Sequence, residues 1–159
     1  MIRQPPRSPL FPNTPLFRSQ AVNPQREVTV NQITPGDYGA LDMRLMERVL
    51  DNLINNAMRY SQSQIQVNLT RNGSLACLQV DDDGPGIAEG ERERVFEPFV
   101  RLDPSRDRAT GGCGLGLAIV HSIAVAMGGQ AHCDVSPLGG ARFSLTWPIY
   151  HHISLPPAR

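Results

Sequence analysis

The stretch "TGGCGLGLAIV", Thr110 to Val120, puts four glycines into six positions and runs at once into an apolar segment of helical spacing. Backbone N–H groups freed of side chains, set beside the positive end of a helix, can cradle an anion such as phosphate. Two familiar phosphate loops fail on the letters. A P-loop needs Lys and Ser or Thr after its last glycine, and Gly116 is followed by Leu117 and Ala118. A dinucleotide fingerprint needs an apolar strand feeding the glycines, and "RLDPSRDRATGG" is polar and broken by Pro104. What remains is a long polar loop closing on a glycine-rich helix start, suited to act as a lid over a nucleotide. On these residues alone an ordinary surface loop is the alternative.

Two more clusters bear on that choice. In "DMRLMERVLDNLINNAMRY" a helical turn of about 100° per residue puts Asn52 and Asn56 roughly 40° apart, with Arg59 beside them at the border of an apolar face. Asparagine is a middling helix former, so two in register invite a functional explanation; a solvated face is the bland one. An amide oxygen suits Mg²⁺, which would take its other ligands from phosphate and water. In "DDDGPGI", Gly84 and Gly86 bracket Pro85 after an apolar run, so the chain turns sharply and presents Asp83 at a strand end. That carboxylate could accept from an exocyclic amine such as that of adenine, or simply belong to a tight turn.

These side chains need a scaffold, and the pattern of the chain supplies one. "REVTV" and "DYGAL" read as short extended pieces before Asp42, an N-cap for a helix to Tyr60 whose apolar face carries Met46, Val49, Leu50, Leu53 and Ala57. "QIQVNLT" and "LACLQV" flank "RNGS", whose Asn-Gly pair signals a hairpin. A short helix fits "AEGERERVF", a second long helix runs from Gly114 to about Met127, and "QAHCDVS" and "ARFSLTW" form a hairpin around "PLGG". Strands paired mainly antiparallel, with helices on one face, make an α+β two-layer sandwich. No alternating strand–helix pattern supports a doubly wound parallel sheet.

Composition sets the limits. With 159 residues, 40% of them hydrophobic, the chain suits one domain with a real core. Its 15 basic and 15 acidic residues balance, and no basic stripe points to nucleic acid. No apolar run reaches the ~18 residues of a membrane span. Cys77, Cys113 and Cys133 lack metal-ligand spacing and fit reduced thiols. Five prolines fall within the first 20 residues, so residues 1–24 read as a disordered or appended leader, 25–150 as the domain and 151–159 as a tail.

In chain order, Asn52 to Ala57, Asp83 to Gly86 with Ile87, "FEPFVRLD" from Phe96 to Asp103, and Gly112 to Leu117 resemble the N, G1, F and G2 boxes of bacterial sensor histidine kinases. The resemblance spans Val28 to Trp147, and "LDMRLMERVLDNL" and "FVRLDPSRDRATGGCGLGLAIVHSIA" look closest to one subgroup of that family. It implies the Bergerat ATP-binding fold of the GHKL superfamily, a mixed, mainly antiparallel sheet, with ATP and Mg²⁺ as ligands. Carried over by position, Asp83 would bind adenine beside Gly84 and Gly86, in a slot lined by Ile87 and Leu117. Asn56 would hold Mg²⁺ with Asn52 in support, Arg59 would face phosphate, and Tyr60 would lie near the nucleotide. Phe96 and Phe99 would anchor the lid, Arg101 would approach the γ-phosphate, and Gly112, Gly114, Leu115 and Gly116 would present backbone to the triphosphate. "GGARFSL" resembles a final glycine box of structural importance.

Position 52 separates branches of the superfamily. Its ATPases and anti-sigma serine kinases resemble one another in carrying a general-base Glu where this chain has Asn52, and an amide cannot take a proton at neutral pH. A neutral imidazole acceptor is already nucleophilic and needs no such base. The resemblance therefore implies a protein-histidine kinase, cytoplasmic in position, whose parent would be an inner-membrane sensor. Its partners would be a dimerising phosphoacceptor hairpin and, through it, a response regulator, with no nucleic acid and a monomeric isolated domain. None of the four histidines fits an acceptor motif; His121 reads as a helix residue and His132 as a strand residue. The expectation is a catalytic domain without its acceptor helix, by truncation, excision or a misplaced start, that lacks autophosphorylation alone. A nucleotide-binding remnant, or an anti-sigma-type serine kinase or ATPase, is the rival.

Overall fold

The computed structural model describes residues 25–32, 38–39, 41–102 and 114–149. Strand β1 (Glu27–Gln32) leads to helix α1 (Met43–Tyr60), followed by β2 (Gln64–Asn72) and β3 (Leu75–Asp82). Two single 3₁₀ turns, Glu89–Glu91 and Arg94–Phe96, precede α2 (Gly116–Ala126), β4 (Gln130–Val135) and β5 (Ala141–Pro148). The five strands form one mixed sheet in the order β1-β2-β3-β5-β4. Only β1 and β2 pair in parallel, with α1 as their crossover; the other pairs are antiparallel.

Helix α1 starts where its cap requires. The Asp42 carboxylate accepts from the N–H groups of Arg44 (2.9 Å) and Leu45 (3.4 Å), donors that lack partners inside the first turn. Its buried face holds Met46, Val49, Leu50, Leu53, Ile54 and Ala57. Strand alternation delivers the matching surface: Ile65, Val67 and Leu69 on β2, Ala76, Leu78 and Val80 on β3, Phe143, Leu145 and Trp147 on β5. With Val120, Ile123 and Ala124 of α2 they form one core, each large side chain contributing about 1.5–3 kcal/mol by leaving water.

The opposite sheet face is polar. There Asn31 Nδ2 donates to Asn68 Oδ1 (3.2 Å), Asn68 Nδ2 donates to Asp81 Oδ2 (3.3 Å), and Arg142 grips both Asp81 oxygens.

Three local expectations need correction. Tyr38 to Leu41 is not a strand among the described residues: Tyr38 and Leu41, three apart, both pack on the core, and the Tyr38 carbonyl accepts from the Trp147 indole at 3.1 Å. "AEGERERVF" forms two 3₁₀ turns, because Gly90 and so short a span cannot meet the cost of nucleating an α-helix. In the first hairpin Asn72 still pairs with Leu75, so the two turn residues are Gly73 and Ser74, with positive φ at Gly73 only (+61°), the arrangement that suits a leading glycine. The residues at 1–24 and 151–159, and the lid at 103–113 with Gly112 and Cys113, lie outside the described residues.

Candidate nucleotide-binding site

A cavity of about 390 Å³ opens between the two helices and the adjoining ends of β3 and β5, within the size range of small-molecule sites. Helix α1 contributes Asn52, Asn55, Asn56, Arg59 and Tyr60; the start of α2 contributes Gly114, Leu115, Gly116 and Leu117. Asp82, Pro85, Gly86 and Ile87 come from the end of β3 and its turn, Ala141 and Phe143 from β5. Val95, Val100, Arg101 and Leu102 complete the wall. The structure thus brings together all the described candidates for nucleotide, metal or catalytic contact except two, Asp83 and Gly84.

Asp83 is the main correction. Its Oδ1 accepts from the N–H of Gln62 (2.7 Å), and its Oδ2 accepts from the N–H groups of Ser63 (3.0 Å) and Gln64 (3.1 Å) and from the Ser63 hydroxyl (2.8 Å). This carboxylate fastens the turn to the loop between α1 and β2 and does not line the cavity. Desolvation alone would raise its pKa; the Ser63 hydroxyl and the Ser63, Gln64 and Gln62 amides outweigh that and hold it below the ordinary carboxylate range.

The residue that faces the cavity is Asp82. It is 2% exposed, and its Oδ1 accepts from the N–H groups of Gly84 (2.9 Å) and Ala141 (3.1 Å). Neither bond uses Oδ2. Burial pushes this carboxyl above its usual range, the two amides oppose the shift, and the neighbouring Asp83 and Asp81 add to it. The signal was in the letters, since Asp-x-Gly-x-Gly counted back from Gly84 and Gly86 begins at Asp82. Three consecutive aspartates hid the register.

Glycines bring the backbone close around Asp82. A Cβ on Gly84 would stand 2.5 Å from the Tyr60 carbonyl oxygen, so Gly84 is buried under the end of α1 and does not line the cavity. Gly140 donates its N–H to the Asp82 carbonyl at 3.1 Å, and any side chain there would strike Asp82 itself. Arg92 adds a strut the sequence did not reveal: its Nε donates to the Ile87 carbonyl (3.2 Å) and its Nη1 reaches Asp134 of β4 (3.3 Å).

On α1, Asn52 Nδ2 donates to the Arg48 carbonyl at 2.8 Å. That fixes the amide with Oδ1 turned toward the start of α2, where a Cβ on Gly116 would approach it to 3.0 Å. No group of three or more His, Cys, Asp or Glu that could hold a metal exists among the described residues. A cation here would depend on amide and phosphate oxygens, a donor set that fits Mg²⁺. Phe96 packs edge-on to Phe143 and contacts the His121 ring, with centroids 6.1 and 6.0 Å away. Phe99 differs from expectation: it is 72% exposed at φ +65°, and its N–H donates to the Gly114 carbonyl at 2.9 Å. His132 lies on β4, its ring 2.9 Å from the Gln130 amide oxygen.

A two-layer domain with buried carboxylate, amides, guanidinium groups and glycine backbone around one cavity is a nucleotide-binding domain of the ATPase and kinase type. The chain belongs to the histidine kinase-, DNA gyrase B- and HSP90-like ATPase family, whose profile matches residues 41–151. This is the ATP-binding catalytic domain of two-component kinases, and the relatives are sensor histidine kinases. It is 62% identical over 148 residues to the sensor protein RstB of Escherichia coli K12, covering 93% of this chain and 34% of RstB. The chain therefore spans about a third of that relative's length. Among solved structures, the mycobacterial sensor histidine kinase MprB superposes with a TM-score of 0.71 at 30% identity, over 84% of this chain and 88% of that one. The ATP binding domain of PrrB from Mycobacterium tuberculosis gives 0.66 at 28% identity, over 85% and 88%.

Proposed function

We propose that this chain binds ATP with Mg²⁺ in the cavity and supplies the catalytic half of a protein-histidine kinase. In this reading the γ-phosphate passes to a histidine on a dimerising hairpin of a sensor protein at the inner membrane, and from there to a response regulator. The observation that carries the reading is a single cavity walled by a buried carboxylate, Asp82, and by the amides and guanidinium of Asn52, Asn56 and Arg59.

Adenine lies in the apolar slot of Ile87, Leu117 and Phe143, with its amine donated to Asp82 Oδ2. Asn56 would hold Mg²⁺ with Asn52 in support, and the bound ion would supply charge neutralisation at the phosphates. Arg59 and Arg101 face phosphate oxygens, Tyr60 borders the nucleotide, and the N–H groups from Gly114 to Gly116 cradle the chain of phosphates. Phosphoryl transfer depends mainly on positioning and charge stabilisation, so a neutral imidazole presented at the mouth completes the reaction. Asn52 offers no base to water, which keeps hydrolysis slow and disfavours the serine-kinase and ATPase rivals.

Incubation with γ-labelled ATP tests this. The protein alone should take up no label and hydrolyse slowly; with the acceptor hairpin of a close relative, acid-labile, base-stable phosphate should appear on the hairpin. Brisk hydrolysis without hairpin moves the protein to the ATPase branch. Tight ATP binding with no transfer to a competent hairpin makes it a nucleotide-binding remnant. Asn56→Ala should remove most of the Mg²⁺-dependent part of ATP affinity in calorimetry, and equal Mg²⁺ dependence in both proteins refutes that role.

A further inference from the structure

The polar face of the sheet carries a charge pair, Asp81 and Arg142, that does not line the cavity. Asp81 is 0% exposed, and Arg142 grips it in a fork, Nε to Oδ1 at 2.8 Å and Nη2 to Oδ2 at 2.9 Å. Asn68 gives the carboxylate its third donor, at Oδ2, and is itself held by Asn31, so the network joins β1, β2, β3 and β5. A buried pair of this kind is weak evidence of stability, because desolvation offsets much of its attraction. Its position suggests another use. Asp81 and Arg142 are the last paired residues of the β3–β5 ladder, and the next residues along the two strands are Asp82 and Ala141.

Past that rung the strands are joined by the Asp82 group itself: Ala141 donates to Oδ1 and Gly140 to the carbonyl. The aim of Asp82 Oδ2 therefore depends on the spacing of the two strand ends that the fork sets. From this juxtaposition we infer that Arg142 and Asp81 form a positioning clamp for base recognition, holding Asp82 where it accepts from a purine amine. A planar fork suits the task better than a point charge, since two parallel bonds fix orientation as well as distance. The inference rests on the proposed adenine role of Asp82.

The test compares ADP with inosine diphosphate, which keeps the phosphates and the ring but replaces the amine by a carbonyl. Calorimetry is run on the parent, Arg142→Met, Arg142→Lys, Asp81→Asn and Asp82→Asn, with folding checked by circular dichroism. The parent should prefer ADP about tenfold or more, as expected when a buried amine finds its acceptor. Arg142→Met and Asp81→Asn should shrink that preference to within about threefold while affinity for inosine diphosphate holds. Arg142→Lys, with its charge but no fork, should fall between and carries the test if Arg142→Met does not fold. Equal losses for both nucleotides, or an undiminished preference in the folded variants, overturn the clamp. If Asp82→Asn itself keeps the preference for ADP, the failure lies in the adenine role of Asp82.

Discussion

At the scale of single residues, the recognition role proposed for Asp82 comes with a cost in stability. Its carboxyl titrates above the ordinary range because burial disfavours the charged form, so ionising it in the folded state is less favourable than in the unfolded chain. The sign follows: below the unfolded value of about 3.9 the group carries no penalty, and the penalty grows as pH rises through the folded value. Asp82→Asn keeps an oxygen for the Gly84 and Ala141 amides and removes the charge. It should raise the unfolding midpoint at pH 7, give no gain at pH 3, and cost the preference for ADP; a midpoint lowered at pH 7 would contradict this account. Asp83 runs the other way. Its depressed pKa means that its ties to Gln62, Ser63 and Gln64 stabilise the fold above about pH 4 and fade as acid protonates it. The letters showed that an aspartate at this turn mattered. Counting back from Gly84 and Gly86 selects Asp82 over its neighbours, and the pleat agrees, because successive side chains at a strand end leave in different directions.

At the scale of elements, α1 and α2 meet across the cavity through Asn52 and Gly116. Gly116→Ala should change stability by less than about 1 kcal/mol, since alanine favours a helix and the backbone there has room. The added methyl presses on the Asn52 amide at 3.0 Å, so Mg²⁺-dependent affinity should weaken, by calorimetry, with fold and Mg²⁺-free binding kept. An unchanged Mg²⁺ dependence would show that Asn52 has slack to spare. Asp42→Ala, at the far end of α1, should cost about 1 kcal/mol in urea unfolding and leave nucleotide affinity alone. The helices and both hairpins were legible because amphipathic spacing and turn residues are local signals. The parallel pairing of β1 with β2 and the insertion of β5 between β3 and β4 were not. Those choices are made by surfaces far apart in sequence, and the Arg142–Asp81 pair, 61 residues apart, is invisible for the same reason.

At the scale of the whole molecule, nucleotide and fold should stabilise one another. At a hundred times its Kd, MgADP should add about 2.7 kcal/mol and raise the Tm by roughly 10 °C, while Asn56→Ala should shrink the shift. A Tm indifferent to nucleotide would deny a built site. The lone tryptophan makes such measurements possible without a label. Trp147 is 2% exposed, its indole is tied to the Tyr38 carbonyl, and its backbone lies four residues along β5 from that of Phe143, a rise of about 13 Å. Its emission should stay blue when nucleotide fills the cavity and shift red when the core opens, so one optical signal reports unfolding while remaining blind to occupancy.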